Sequence, residues 1–286
     1  MTWRGAREVQ QLAIGIHRFG LAAGQMAWRG SGLALVGRSH VASQVRKATG
    51  GAPGDIYRAH QRRDMMDALP TPRANRGAAV SDPLAAAHIA EQILLARDEA
   101  TGHHVRRVGQ LSRLIAEQTA DHYGLSANEI VQIGAFAPVH DLGKVGIPDS
   151  ILLKTGRLDH DEIQLVRRHV DSGLALLDTL LIECKLDDRP RLIYDLIALH
   201  HERLNGLGYP NGLCGNDIPP AGRIIAVADV FDALTADRPY RAAMPVKDAL
   251  SMLDAMVMDG EFDAVCVQAI RLRLDDVGAI LASAES

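Results

Sequence analysis

The stretch Val139-His140-Asp141-Leu142-Gly143-Lys144 places two metal-binding side-chain types and a cation within a few residues of one another. A carboxylate can bridge two divalent ions with its two oxygens, and neutral imidazole suits Fe, Mn, Ni or Zn. A His-Asp pair becomes a site only with partners from elsewhere in the chain. The candidates are His104 upstream, and His169, the pair His200 and His201, and Asp229 downstream. Lys144 follows His140 by one helical turn, where a phosphate beside bound ions would need a cation. Taken singly, each of these residues reads as an ordinary polar group on an amphipathic helix. Taken together, they fall on or at the ends of apolar helical runs, and burying so many imidazoles and carboxylates without ions would be costly.

The chain around this stretch has 286 residues, enough for one large domain or one domain with an appendage. Apolar residues make up 47% and aromatic residues 4%, so the core is built from Ala, Leu, Ile and Val, which leans towards helices. The net charge of −4 gives no bulk electrostatic case for nucleic acid. Charge is uneven, with a balance of +8 in residues 1 to 80 and −12 in the remainder. Cys184, Cys214 and Cys266 are scattered outside any metal-like spacing and fit a reducing compartment. No apolar run of about 18 residues and no signal peptide is found, so the expectation is a cytoplasmic protein with no membrane insertion.

Residues 1 to 80, with recurring Gly and Arg and a Pro70/Pro72 linker, read as an N-terminal extension, and residues 81 to 286 as the domain. Ser81 or Asp82 caps a first helix to Arg97, and a second runs from about Gly102 to Tyr123, stopped by Gly124. Ser126 to Glu129 forms a capping box, opening a helix that reaches His140 and Asp141. Asp159 caps a helix through His169, closing near Gly173 or Leu181, and Pro190 to His201 forms another. After a loop from Asn205 to Pro220 come helices Ala221 to Ala236, Pro245 to Met258, and Asp263 to Leu281. Period-two patterning is nearly absent, so the fold class is all-α, a bundle with ligands delivered from several helices.

From about Arg97 to Ile270 these motifs resemble the HD-GYP domains, a subfamily of HD-superfamily phosphohydrolases that degrade cyclic di-GMP. The resemblance is carried by Thr101-Gly102-His103-His104, His140-Asp141-Leu142-Gly143-Lys144, His169 before Gly173, His200-His201-Glu202-Arg203, Gly208-Tyr209-Pro210-Asn211-Gly212-Leu213, Val227-Ala228-Asp229 through Thr235, and Asp237-Arg238-Pro239-Tyr240-Arg241. It implies a first divalent ion on His104, His140, Asp141 and Asp229, and a second on His169, His200 and His201 with Asp141 bridging. It implies catalytic roles for Asp141 and Lys144, phosphate contacts from Lys144, Arg238 and Arg241, and a substrate contact from Tyr209 at the mouth of the site. Fe or Mn are the implied metals, with Ni or Zn compatible. Asp98 resembles a residue orienting the His104 region and reads equally as an ordinary helix-surface pair, while Asp232 and Asp237 read as structural helix or cap partners.

Departures from the pattern are as informative. Ala100 stands where many members have a Glu that helps bind a third ion, and Glu99, one residue off, points about 100° away on a helix. A two-metal site is expected, with His201 a weak ligand or a substrate contact. Leu204-Asn205, Leu207 and Ala264 also depart. The leading reading is a phosphodiesterase opening cyclic di-GMP to linear pGpG, with or without further progress to GMP, by a metal-bridging hydroxide. The alternatives are a hydrolase of another cyclic dinucleotide, or a weakly catalytic receptor or partner of GGDEF proteins. Leu84, Ala87, Ile89, Ile93 and Leu94 of the first helix either pair in a homodimer or pack on the bundle's own core.

Overall fold

The structure is a computed structural model and describes residues 83–97, 99–154, 156–183, 191–237 and 242–283. The expectations for residues 1–80, Ser81, Asp82, Asp98, Cys184, Pro190, Arg238 and Arg241 lie outside the described residues, as do the side chains of Leu84, Glu99 and Ala100. Among the described residues eleven helices run in order: α1 Pro83–Arg97, α2 Glu99–Tyr123, α3 Ala127–Phe136, α4 Asp149–Leu152, α5 His160–Arg167, α6 His169–Glu183, α7 Arg191–Leu199, α8 Pro220–Thr235, α9 Val246–Met258, α10 Ala264–Leu272 and α11 Leu274–Ala282. Short 3-10 turns cover Ala137–Val139, Leu142–Gly146 and Gly215–Asp217. Among the described residues there is no strand, only an antiparallel bridge between Asn205 and Cys214, and no helix is long and apolar enough to cross a membrane. The expected all-α bundle is what the chain forms.

Two helices organise the core. In α2, Val105, Val108, Leu111 and Ile115 recur at helical spacing, all fully buried, and face α3 and α8. Helix α8 is buried along nearly its whole length, from Ala221 to Thr235 save Arg223. Asp229 and Asp232 lie on it, so their carboxylates must find partners inside the protein. Helices α7, α9 and α10 close around α8, and α1 lies on α2. Ala87 and Leu94 of α1 turn into the core, while Ile89 and Ile93 face outward.

Helix ends follow local chemistry. Gly124 takes φ +68, and the Leu125 N–H bonds back to the Ala120 carbonyl at 2.9 Å, closing α2. Ser126 and Glu129 form the expected reciprocal box on α3, and Asp159 and Glu162 form a second on α5.

Three expected helices are shorter than the periodicity suggested. The helix expected to reach Asp141 stops at Phe136, because Pro138 has no N–H to continue the ladder and the chain tightens into a 3-10 turn. His140 and Asp141 therefore sit between two 3-10 turns rather than on an α-helix. The helix expected from Asp159 to Gly173 or Leu181 is two, broken at Arg168, whose N–H bonds the Leu165 and Val166 carbonyls and turns the chain so that α6 starts at His169. The last expected helix breaks at Arg273, where φ −129 and ψ 39 leave the helical region. Apolar periodicity carries across such kinks, so it cannot mark them.

The close approach that positions the site is between Gly143 and α6. A Cβ on Gly143 would lie 1.8 Å from the His169 carbonyl oxygen and 2.5 Å from the Gly173 nitrogen. Only glycine lets the backbone of Leu142–Gly146 rest directly on the first turn of α6.

Candidate metal centre

Five histidines and two aspartates from separate elements converge in the interior. His104 comes from α2, His140 and Asp141 from the junction of the 3-10 turns, His169 from the start of α6, His200 and His201 from just beyond α7, and Asp229 from α8. All seven are buried. They form two groups, His104, His140 and Asp141 in one and His169, His200 and His201 in the other, each with its ligating atoms within 4.8 Å of one another.

Asp141 stands between the groups and gives one oxygen to each. Its Oδ2 lies 3.3 Å from His140 Nε2 and 3.8 Å from His104 Nε2. Its Oδ1 lies 3.4 Å from His169 Nε2 and 3.8 Å from His200 Nε2. Asp229 Oδ1 completes the first group, 3.3 Å from His104 Nε2 and 3.8 Å from His140 Nε2.

The other nitrogen of four of these imidazoles is already committed. His140 Nδ1 donates to the Ala137 carbonyl at 2.8 Å, His169 Nδ1 to Val166 at 2.7 Å, and His200 Nδ1 to Ile197 at 2.8 Å. Each acceptor is three residues back, at the end of a helical turn whose last carbonyls have no partner of their own. His104 Nδ1 bonds Asp232 Oδ2 at 2.7 Å. A carbonyl only accepts, so Nδ1 carries the proton and Nε2 a lone pair aimed at the centre. His169 and His200 thus face each other across 3.1 Å with two lone pairs. His140 Nε2 and Asp141 Oδ1 have no hydrogen-bond partner although buried.

Relief by protonation is opposed. Burial pushes His169 down to about 4, and burial with the neighbouring His140 and His169 pushes His200 well below the usual imidazole range. His201 is held low by burial and by His200. His104 goes the other way: burial works against its charge, but hydrogen bonds to the Asp229 and Asp232 carboxylates outweigh it and raise the value. Burial alone would raise Asp141, yet Lys144, His140 and His169 hold it well below the carboxylate range, so it is ionised. Two ionised carboxylates facing the imidazoles of His169 and His200, which burial keeps neutral, are a donor set suited to divalent cations.

Around this set lie residues that motif reading left in the background. Asp232 also accepts from Arg107 Nε and, at 3.1 Å, from its Nη2, forming a buried Arg107–Asp232–His104 chain. Asp232, expected to be a structural helix or cap partner, is thus the carboxylate that holds His104 Nδ1. Asp237 accepts the Ala243 N–H at 2.7 Å and caps neither α8 nor α9. Glu202 accepts the Asn211 and Leu213 N–H groups at 2.7 and 3.0 Å and so clamps the Tyr209–Leu213 loop. Arg203, fully buried, donates to the Glu202 and His200 carbonyls and lies over the Phe262 ring. Gly208 allows the loop to touch this segment, since a Cβ there would lie 2.5 Å from the Arg203 nitrogen. The His-His-Glu-Arg run was visible in sequence; its role as a loop anchor depends on contacts that the run itself does not reveal.

Of the expected substrate contacts, Lys144 Nζ bonds Asp141 Oδ2, reaching it from a 3-10 turn at the edge of the first group. Tyr209 lies stacked on His201, ring centroids 4.5 Å apart at 24°, with its hydroxyl buried and unpartnered. His201 differs from the other four, because its Nδ1 has no partner.

A family model described as an HD domain matches residues 88–265. The chain is 44% identical over 175 residues to the cyclic di-GMP phosphodiesterase response regulator RpfG of Xanthomonas campestris pv. campestris, covering 61% of this chain and 43% of that protein. It is 41% identical over 192 residues to 3′3′-cGAMP-specific phosphodiesterase 2 of Vibrio cholerae, covering 66% and 34%, and 39% identical over 162 residues to a cyclic di-GMP phosphodiesterase of Thermotoga maritima, covering 56% and 41%. The chain thus spans less than half the length of these curated relatives. With 178 of its residues inside that match, the chain belongs to the HD-domain family.

Proposed function

We propose that this chain is a divalent-metal-dependent phosphodiesterase that opens cyclic di-GMP to linear pGpG, with the activity carried by residues 81 to 286. The observation that carries the reading is Asp141, whose two oxygens separate two histidine groups with their Nδ1 protons already engaged. His104, His140, Asp141 and Asp229 would hold one ion, and His169, His200 and His201 with Asp141 the other. The crowding of Nε2 lone pairs and the unpartnered Asp141 Oδ1 fit such occupancy. Bound there, a pair of ions acidifies water and neutralises phosphate charge. Fe or Mn are the favoured metals, and Ni or Zn suit the same donors.

In the reaction water adds across one phosphodiester. A bond forms between phosphorus and the water oxygen, which gives up one proton to solvent; the bond to the ribose 3′ oxygen breaks, and that oxygen takes a proton from solvent. Asp141 and Asp229 stay ionised throughout, because the surrounding positive and hydrogen-bonding groups hold both below the carboxylate range. Lys144, beside Asp141, is placed to hold a non-bridging phosphate oxygen and offset the charge that develops on it. Arg238 and Arg241 are proposed as further phosphate contacts. Tyr209, stacked on His201, is proposed as a substrate contact, and Glu202 fixes the loop that carries it.

Ala100 leaves the site with two ions rather than three. Ala100→Glu is expected to raise bound metal per chain, measured by elemental analysis after dialysis, and an unchanged metal content would sink this assignment.

The relative that is named for 3′3′-cGAMP supports a second reading, in which that mixed dinucleotide is the substrate. The test is to load the full chain with Mn²⁺ or Fe²⁺ without oxygen, supply each cyclic dinucleotide, and follow products by chromatography. Accumulating pGpG is expected; faster cleavage of 3′3′-cGAMP would transfer the assignment to it. Binding with no product would make the protein a receptor and overturn the enzyme reading.

A further inference from the structure

Among the described residues, several cations near the site already have partners. Arg107 is tied to Asp232, Arg223 to Asp263, Lys144 to Asp141, and Arg203 is spent on backbone carbonyls and faces Glu261. Arg167 is placed differently. It is the last residue of α5, two before His169, and its side chain is exposed. Among the described residues it has neither a carboxylate partner nor a side-chain hydrogen bond; its guanidinium carbon instead lies 4.8 Å from the centroid of the Tyr209 ring. That ring is itself stacked on His201 of the second histidine group. A guanidinium held on an aromatic face keeps its N–H fork pointing outward, in the geometry that grips a phosphate with two hydrogen bonds.

A cyclic dinucleotide carries two phosphodiesters across one ring, and only one can lie at the paired clusters. The other remains a full negative charge that has to leave bulk water near the entrance. We propose that Arg167 is the contact for this second, non-reacting phosphate, positioned by its stacking on Tyr209. The proposal rests on the cyclic dinucleotide reading above. It assigns specificity rather than chemistry to Arg167, because a substrate with one phosphate has nothing to offer it.

The test uses the full metal-loaded chain as wild type, Arg167→Ala and Arg167→Lys, with cyclic di-GMP, 3′3′-cGAMP and bis(p-nitrophenyl) phosphate, a diester with a single phosphate. Arg167→Ala is expected to raise KM for both cyclic dinucleotides by about tenfold or more, with kcat changed far less, as fits loss of a charge-assisted pair. Its loss in kcat/KM for the dinucleotides should exceed that for bis(p-nitrophenyl) phosphate by about tenfold, and Arg167→Lys should recover part of it, since a point charge replaces the fork. Equal losses on all three substrates, or none, would overturn the proposal. A loss for cyclic di-GMP that 3′3′-cGAMP does not share would show that Arg167 reads a guanine edge, and would overturn the phosphate assignment. Wild type that cleaves only bis(p-nitrophenyl) phosphate would remove the substrate reading and this assignment with it, whereas an active wild type with an indifferent Arg167→Ala removes this assignment alone.

Discussion

Asp141 concentrates the largest effect in one side chain. Asp141→Asn keeps the size but leaves a single acceptor oxygen where two histidine groups each face one. Turnover should fall below detection and bound metal per chain should drop, with far-UV circular dichroism unchanged; surviving activity would rule out a bridging carboxylate. One step out, Asp232→Ala frees the Nδ1 of His104 and leaves Arg107 unpaired. A loss of about 10- to 100-fold in metal affinity is expected from chelator competition, the range typical of a carboxylate behind a ligating histidine. The imidazoles also set a pH dependence in the metal-free chain. Unfolded, His169 takes a proton near 6.5, but folded only near 4, because burial disfavours its charge. Its contribution to stability is therefore present above pH 6.5 and lost as pH falls towards 4, by up to about 3 kcal/mol for this residue, and His200 and His201 act in the same direction. Urea midpoints of the chelator-treated protein should fall between pH 7 and pH 5, and equal midpoints would show that His169 is not buried neutral. Residue types at this scale were the most legible part of the sequence, since each of the seven ligand candidates lies in a motif. Asp232 was misjudged because its partner, His104, is 128 positions away and no local pattern joins them.

Between elements, two glycines do what side chains cannot. Gly143 lets the His140-Asp141 segment lie on α6, and Gly208 lets the Tyr209 loop lie on the His201–Arg203 segment. Gly143→Ala forces apart backbone that cannot yield, so it should lower the melting temperature and release metal together, with a cost of about 3 kcal/mol or more at the upper end for overpacking. Gly208→Ala should displace only the loop, so metal content should hold while cyclic dinucleotide cleavage falls. Finding both variants equally disturbed in metal content would show that the loop and the centre are one unit. Element existence was readable from apolar spacing and caps, as the boxes at Ser126 and Asp159 show. The kinks at Pro138, Arg168 and Arg273 were not, because a kink shifts direction without interrupting which face is apolar.

Across the whole molecule, the seven candidate ligands come from positions 104 to 229 and join elements far apart along the chain. An ion held by that many elements binds only the folded chain, so it stabilises by mass action, about 2.7 kcal/mol at a free concentration a hundred times its dissociation constant. Three helical runs also end at this one place, the turns before His140, His169 and His200, each with a carbonyl turned to an imidazole of its own chain. Aligned peptide dipoles give each such C-terminal end about half a negative charge, strongest within the last turn. The backbone thus provides an electronegative basin before any side chain ionises, one that draws cations and repels a bare dinucleotide. Without metal the pocket should reject its own substrate, making occupancy by cations the condition for entry as well as for chemistry.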